Sequence, residues 1–258
     1  MRRLVVLAAA AAVAACVALP AGADDVTALL PDLDPVSPGS VQAVSAQDGS
    51  GHVFLTFKVG IDNTGAGPLT VHGHRASTSE PQMAADQVVR LSDGTTSTVS
   101  GVGDLVYDRE YARWGFEPYQ VYELHADNGS LVAAGPAMNF CLEDNSNSNT
   151  RVILPGEPSR KVYSGCGKNR STLLTVDVGI SVGWQNQHAA GKKGQMIDIT
   201  GLPSGQYVLV HRVNPNGLLA EADTADDAAS TRISITWTSG VTLPRVRAIR
   251  SCRDSDSC

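Results

Sequence analysis

The sequence lacks the features that would make it helical or divide it into several domains. Its 258 residues contain no long segment with a helical period, no internal repeat and no linker-like stretch. Short alternating apolar segments separated by Gly, Asn and Pro are typical of antiparallel β-structure. We therefore predict an all-β fold, a single-domain β-sandwich or partly closed barrel of short antiparallel strands with long loops.

Positive charge is also scarce. The chain has 20 Lys and Arg residues against 26 Asp and Glu residues, which gives a formal net charge of -6. Nucleic acids and anionic lipid surfaces are bound through an excess of positive charge. We therefore expect neither as a partner. The Ser, His and Asp residues show no nucleophile-elbow pattern, so a serine hydrolase is not indicated either.

The N-terminal apolar run is too short for a membrane span. Residues 1–23 combine Arg2 and Arg3 with an apolar core and the ending Ala21-Gly22-Ala23, which is the pattern of a secretory signal. A second interpretation is a lipoprotein signal that is cut before Cys16 and acylated there. We therefore expect residues 24–258 to be exported, either free or lipid-anchored at the outer face of the membrane, and the net charge to change from -6 to -8 on cleavage.

Cysteines are few and favour disulfides over a metal. Apart from Cys16, four remain, and an even number in an exported chain predicts two bridges, for which three pairings are open. The most local choice joins Cys141 to Cys166 and Cys252 to Cys258. No Cys-x-x-Cys pair supports zinc. His72 and His74 would face the same way on a strand, but no third ligand accompanies them, so we favour a solvated strand face.

Alternating apolar residues place the clearest strands. Val53, Leu55, Phe57 and Val59 predict a buried face in a strand over residues 52–59, followed by a loop over 62–68. Asp-Gly and Asn-Gly pairs predict hairpin turns at 92–95 and 127–130. Further strands are predicted at 69–74, 120–124, 131–134, 206–213 and 232–237.

One stretch resembles a known family. Residues 106–124, VYDREYARWGFEPYQVYEL, fit without a gap to the copper-binding strand of bacterial lysyl oxidase-like domains, whose pattern is roughly V-Y-H-P-D-H-x-H-W-H-F-E-x-Y-x-x-Y-E-L. Shared residues include Trp114, Phe116, Tyr119 and Tyr122. Further blocks that match in the family's order lie at 139–144, 178–184, 194–203 and 207–215, so that the resemblance spans nearly all of residues 29–250.

The resemblance implies a copper site whose ligands are absent from this sequence. The three ligand histidines of the family fall on Tyr111, Arg113 and Gly115. Copper(II) favours neutral imidazole, and histidines at alternate positions of an extended chain converge on one ion. A phenol, a permanently charged guanidinium and a glycine cannot replace them. We therefore expect no copper.

The family's quinone cofactor is not expected either. The enzymes make it by joining one Lys to one oxidised Tyr, and the quinone then oxidises primary amines. The resemblance places these two positions at Ala137 and His188, which supply neither an amine nor a phenol.

A calcium site is the one constellation that the resemblance retains. The family's E-x-D-x-x-N-N loop aligns with residues 221–227, and an N-terminal D-L pair aligns with Asp32-Leu33. Oxygen donors of this kind suit Ca²⁺. The expected ligands are the carboxylates of Asp32, Glu221, Asp223, Asp226 and Asp227, with the Leu33 backbone oxygen. A solvated acidic loop is the alternative.

Two functions follow from these residues. The first is an exported, catalytically inert lysyl oxidase-like protein that binds an extracellular or cell-surface ligand and carries structural calcium. The second is a copper-dependent amine oxidase of the same family with a rebuilt active site. The replaced copper and quinone positions favour the first. Trp114 and Tyr119 are predicted to pack in the core.

Overall fold

The protein is described by a computed structural model covering residues 25–136, 139–148, 152–192 and 194–258. The expected signal segment 1–23, with Cys16, and Ala137 lie outside these ranges. No helix within them is long and apolar enough to cross a membrane. Within the described ranges, the chain forms one turn of 3-10 helix at Gly165–Gly167 and seventeen strands. The strands are β1 (Ala28–Leu29), β2 (Leu33–Pro35), β3 (Gly39–Ser45), β4 (Val53–Asn63), β5 (Leu69–His74), β6 (Gln82–Leu91), β7 (Thr96–Asp108), β8 (Arg113–Glu117), β9 (Gln120–Ala126), β10 (Leu131–Ala134), β11 (Ser146–Asn147), β12 (Thr175–Ile180), β13 (Trp184–His188), β14 (Met196–Asp198), β15 (Gly205–Val213), β16 (Ala228–Thr236) and β17 (Arg245–Cys252).

The strands form three antiparallel sheets around a shared apolar core, which confirms the all-β prediction. One sheet has the order β12-β5-β6-β7-β8 with β1 on β6, and the second has β10-β9-β15-β16-β17. The third has β11-β13-β4-β14, with β2 and β3 also paired to β4. Apolar side chains from all three sheets, among them Phe57, Leu105 and Leu209, belong to a single buried cluster.

Strand β4 is longer than its apolar alternation predicts. The sequence places Asp62 and Asn63 in a loop, but both lie in β4 with at most 1% of their surface exposed. Their polar groups are satisfied over long sequence distances. Gln185 donates to Asp62 at 2.7 Å, and Asn63 donates to the carbonyls of Gly67 and Ile180, each at 3.0 Å. Because buried polar groups are tolerated when hydrogen-bonded, the strand continues through them.

The predicted hairpins form where their turn residues indicate. Strands β6 and β7 meet across Asp93-Gly94, where Asp93 accepts the Thr95 backbone N–H at 2.9 Å. Strands β9 and β10 meet in the same way, with Asn128 accepting the Ser130 N–H at 3.0 Å. In each turn the glycine has a positive φ, which suits the second position of such hairpins.

Both predicted disulfides are present. Cys141 bonds to Cys166, and Cys252 bonds to Cys258, so the most local of the three pairings is correct. The first bridge ties residue 141, beside β8, to the 3-10 turn, and the second closes a short loop at the end of β17.

His211 of β15 is wholly buried between strands. Its Nδ1 lies 3.3 Å from the Val36 carbonyl oxygen, and its Nε2 lies 2.6 Å from the Gln120 side-chain amide. An amide can present either its oxygen or its NH₂ group, so a neutral ring can donate through Nδ1 and accept at Nε2. Burial is the main cause that lowers the pKa of His211 to about 4.

This histidine should make folding stability depend on pH. Its pKa in the folded state lies below the ordinary value of 6.5, so its contribution is complete above pH 6.5 and is lost as the pH falls towards 4. The full loss is on the order of 3 kcal/mol. Urea unfolding at pH 7, 6, 5 and 4 should therefore give a shallower fall for His211→Gln than for the unmutated protein. Identical slopes would contradict this assignment.

Candidate functional site

A half-open cavity of about 310 Å³ lies against strand β8. It contains four of the five positions at which the family's copper ligands and quinone residues were expected: Tyr111, Arg113, Gly115 and His188. Its other lining residues are Asp108, Glu110, Trp114, Asn139, Phe140, Cys141, Lys168 and Lys192. The fold therefore assembles the predicted positions in one place, although their chemistry differs from that of the family.

The alternation of β8 explains why Arg113 and Gly115 share this cavity, whereas Tyr111 lies in the turn before β8 and not in the extended strand that the sequence predicted. Trp114 and Phe116 are wholly buried, and the Trp114 indole donates to the Arg170 carbonyl at 3.0 Å. Arg113 and Gly115 occupy the alternate positions and line the cavity. Pairing with β7 sets their register, with Asp108 opposite Arg113 and Val106 opposite Gly115. Side chains two residues apart share one face of a strand, as the copper-binding pattern requires.

Arg113 is held in a fixed ion pair. Its Nη1 donates to Glu143 Oε1 at 3.0 Å, while Glu143 Oε2 accepts the Gly165 backbone N–H at 2.8 Å. A divalent ion about 4 Å from an unpaired guanidinium would be repelled by roughly 8 kcal/mol at an effective dielectric constant of 20, and the Glu143 carboxylate reduces this repulsion. The ion pair thus places a guanidinium where the resemblance predicts a copper ligand.

The space beside Gly115 is filled by Asn139. A Cβ atom at position 115 would lie 2.9 Å from both the backbone carbonyl carbon and the Cβ of Asn139. The next residue, Phe140, exchanges two backbone hydrogen bonds with Phe116, at 2.8 and 3.1 Å. Because these bonds hold the segment that contains Asn139 against β8, Asn139 cannot move away from Gly115 unless they break. An imidazole has no room at this position.

His188 lines the cavity as a neutral ring. Asn186 donates its NH₂ group to the carbonyls of Cys141 and Glu143, so its oxygen faces His188 Nε2 at 2.9 Å and accepts the proton there. Burial first, and then the charges of Lys192 and Arg113, lower the pKa of His188 to about 4. The ring also packs against Phe140 at a centroid distance of 5.2 Å.

Two lysines of the cavity were not predicted from the sequence. Lys168 follows the 3-10 turn, and Lys192 lies in the loop after β13, with its Nζ 5.7 Å from the centroid of the Tyr111 ring. The only signal is the run Gly191-Lys192-Lys193-Gly194, which is also typical of an ordinary surface loop. Only the fold brings these two loops to one cavity.

The acidic residues expected to bind calcium form a separate cluster. Glu221 reaches β2, where its Oε2 accepts the Leu33 backbone N–H at 3.2 Å. Leu33 lies opposite Asn63 of β4. The backbone hydrogen bonds to β4 on either side of it are made by the Asp32 carbonyl, which accepts the Thr64 N–H, and by the Val36 N–H, which donates to the Gly60 carbonyl. The N–H and C=O groups of one antiparallel residue face the same side, so the Leu33 oxygen also points away from β4, towards Glu221.

This acidic cluster has little compensating positive charge. Burial and the charges of Asp227 and Asp32 raise the pKa of Glu221 to about 8. Burial and neighbouring aspartates raise the pKa of Asp227 to about 7. The Oδ1 atoms of Asp32, Asp226 and Asp227 are buried without a hydrogen-bond partner. In the ranges that the structure describes, no three His, Cys, Asp or Glu side chains form a ready-made metal-ligand set.

Asp34 is a member of this cluster that the sequence did not indicate. Its Oδ1 is also buried without a partner, and Arg253 lies 3.2 Å from its other oxygen. Burial is the main cause that raises its pKa to about 6, with Asp62, Asp254 and Asp226 adding to it.

His72 and His74 lie on β5 with stacked rings 5.9 Å apart. Each contacts a carboxylate of a neighbouring strand, His72 with Asp177 at 2.7 Å and His74 with Asp86 at 3.2 Å. All four side chains are at least partly exposed. These cross-strand pairs account for both histidines as parts of a polar sheet face.

The filled space beside Gly115 yields a prediction. Gly115→Ala should lower the free energy of unfolding by about 1–3 kcal/mol, because its methyl group overlaps Asn139. Gly39→Ala is the matched control, since a Cβ there meets nothing within 4 Å, and it should change stability by no more than about 0.5 kcal/mol. Chemical denaturation measures both. Equal stabilities would show that Asn139 yields readily and that the position can accept a ligand side chain.

Comparisons with known proteins identify the family of this chain. The sequence model of the family described as lysyl oxidase matches residues 110–243, slightly more than half of the chain. Lysyl oxidase homolog 3A of Danio rerio is 30% identical over 110 residues, which are 43% of this chain and 13% of that protein. Lysyl oxidase homolog 2 of Homo sapiens is 28% identical over 116 residues, which are 45% of this chain and 13% of that protein.

The match covers the cavity but only a small part of each relative. It includes Tyr111, Arg113, Gly115 and His188, whereas Asp32 and Leu33 precede it. The chain spans about an eighth of the length of these relatives. On the extent of the family match, this chain belongs to the lysyl oxidase family.

Proposed function

We propose that this chain is an exported, catalytically inert lysyl oxidase-like protein that acts by binding a ligand. The observation that carries the proposal is the ion pair of Arg113 with Glu143, which puts a guanidinium at a copper-ligand position. Asn139 supports it by filling the space beside Gly115. We propose a binding role because a cavity of about 310 Å³ lies at the positions where the resemblance predicts the redox residues.

The quinone route lacks its starting groups. His188 has no phenol, and its ring is engaged by Asn186 and Phe140. Ala137, which lies outside the described residues, has no amine in its side chain. Forming the cofactor needs both groups as well as a copper ion to oxidise the tyrosine. The proposal therefore excludes amine oxidation by the family's route.

A rebuilt amine oxidase is the second candidate, and one contact favours it. Lys192 Nζ lies 5.7 Å from the Tyr111 ring centroid, so the two residue types that the quinone requires meet in the cavity at new positions. Joining them would still require an oxidant at the site. We favour a cation–π contact as the role of this pair.

Export is supported by the two disulfides together with the signal-like residues 1–23. Cys141–Cys166 and Cys252–Cys258 suit an oxidising compartment. A freely secreted protein is our proposal, and a lipid anchor at Cys16 is the alternative. The ligand is accordingly expected among extracellular or cell-surface molecules.

Purified protein tests the absence of redox chemistry directly. After incubation with copper(II) and removal of unbound metal, we expect well under one copper per chain, no quinone staining, and no peroxide with n-butylamine. Peptide mass spectrometry should find Tyr111 and Lys192 unlinked. One copper per chain together with amine-dependent peroxide would establish the rebuilt oxidase, and a Tyr111–Lys192 cross-link would locate its cofactor.

We also propose that the acidic cluster holds a structural calcium ion. The donors fit, because the partnerless oxygens of Asp32, Asp226 and Asp227 are hard ligands and the Leu33 carbonyl points towards Glu221. Asp223 would contribute as a fifth carboxylate. A dication would offset the mutual repulsion of these groups and draw their side chains closer together. It would also fasten β2 to the loop at 221–227.

Removal of calcium should therefore lower thermal stability. We expect a chelator to reduce the melting temperature of the unmutated protein by several degrees, because a ligand that binds the folded state stabilises it. Asp223→Ala combined with Asp227→Ala should abolish this response. A control with Asp48→Ala and Asp93→Ala, two exposed turn aspartates, should retain it. If the chelator leaves the unmutated melting temperature unchanged, the calcium proposal is wrong.

A further inference from the structure

Positively charged side chains outnumber carboxylates by three to two in the lining of the cavity beside β8. Arg113, Lys168 and Lys192 all line it. Among the residues that the structure describes, neither lysine forms an ion pair with a carboxylate, whereas Arg113 does so with Glu143. A ligand that binds these two lysines would therefore not have to displace a carboxylate of the protein from either of them.

The acidic side chains of the cavity compete only in part. Asp108 Oδ1 accepts the backbone N–H groups of Glu110 and Tyr111, at 2.7 and 3.1 Å, and so caps the turn before β8. Glu110, the other lining acid, is an exposed residue of that same turn. Glu143 is occupied by Arg113 and Gly165. Across the cavity, the charges that act on the ring of His188 are the positive ones of Lys192 and Arg113.

The remaining wall offers flat and apolar surface. Phe140 and Tyr111 contribute aromatic rings, Gly115 leaves bare backbone, and Cys141 adds its disulfide. The volume of about 310 Å³ lies at the lower end of the range for small-molecule sites. Aromatic walls with a few charged groups bind ligands that have an apolar body and one ionic end.

Resting on the proposed function, we propose that this cavity binds a small organic carboxylate with a flat apolar body. Lys168 and Lys192 hold the carboxylate at the rim, and Phe140 and Tyr111 contact the body. The same charges disfavour a primary ammonium group. The proposed site therefore prefers an anionic ligand, whereas a site that oxidises amines has to accept a primary amine.

Three probes of the same length and shape separate charge from shape. They are 3-phenylpropionate, its neutral amide and 3-phenylpropylamine, each titrated into the full protein by calorimetry with saturation-transfer NMR to detect weak binding. We expect the carboxylate to bind at least tenfold more tightly than the amide, and the amine to bind most weakly. Binding of the amine as tight as that of the carboxylate overturns the proposal, as does failure of all three to bind at millimolar concentration.

A double substitution locates the binding. Lys168→Gln with Lys192→Gln should weaken 3-phenylpropionate at least tenfold and leave the amide unchanged. Lys58→Gln with Lys161→Gln removes the same charge from exposed positions that do not line the cavity, and should leave both probes unchanged. Equal weakening by the two double variants would mean that only the overall charge matters, and would overturn the site.

These outcomes are independent of the test of redox chemistry. A protein that binds neither carboxylate nor amine, and that also lacks copper and peroxide production, contradicts the ligand class while leaving the inert assignment in place. Amine-dependent peroxide with bound copper contradicts the proposed function itself, whatever the carboxylate does.

Discussion

The two backbone hydrogen bonds between Phe116 and Phe140 determine much of what the cavity can contain. They hold residues 139–141 against β8, outside the regular ladder of strands. Asn139 is thereby placed beside Gly115, and Cys141 is positioned for its disulfide to Cys166. That disulfide in turn anchors the 3-10 turn that precedes Lys168. This short contact therefore links the space beside Gly115, which Asn139 fills, to the segment that carries Lys168 at the edge of the cavity.

The two candidate sites have opposite electrostatic character. In the cavity lining, Arg113, Lys168 and Lys192 outnumber Asp108 and Glu110 by one charge, and Lys168 and Lys192 lack the carboxylate partner that Arg113 has in Glu143. In the acidic cluster, burial and mutual repulsion raise the pKa values of Glu221 and Asp227, and Arg253 contacts only Asp34 and Asp62 at its edge. The proposed ligands differ accordingly: a cation at the acidic cluster and an anion at the cavity. The net negative charge of the chain alone indicates neither arrangement.

Local signals in the sequence predicted the hairpins, whereas the features that the sequence did not predict depend on contacts between residues that are far apart in the chain. Asp93-Gly94 and Asn128-Gly129 specify their turns within a few residues, so the pattern is sufficient there. The sequence pattern predicts a loop at Asp62 and Asn63 because the groups that satisfy them, Gln185 and the Ile180 carbonyl, are distant in sequence. For the same reason the sequence did not predict Asp34 as a member of the acidic cluster, because its neighbours there are distant in sequence. Alternation along β8 correctly placed Arg113 and Gly115 in one cavity, and the turn before the strand brings Tyr111 to it, but nothing local joined these residues to Lys168 or Lys192.

The division between retained and replaced residues has a physical cause. Trp114, Phe116, Tyr119 and Tyr122 match the family pattern, and each has at most 2% of its surface exposed. Replacing any of them with a small residue would leave a cavity in the shared core and cost several kcal/mol. Of the positions that differ, Tyr111 and Arg113 line an open cavity, where a change costs less because solvent or a ligand can fill the space. Gly115 also borders the cavity, but there Asn139 occupies the space that a side chain would need. The proposed loss of metal chemistry therefore leaves the buried face of β8 intact.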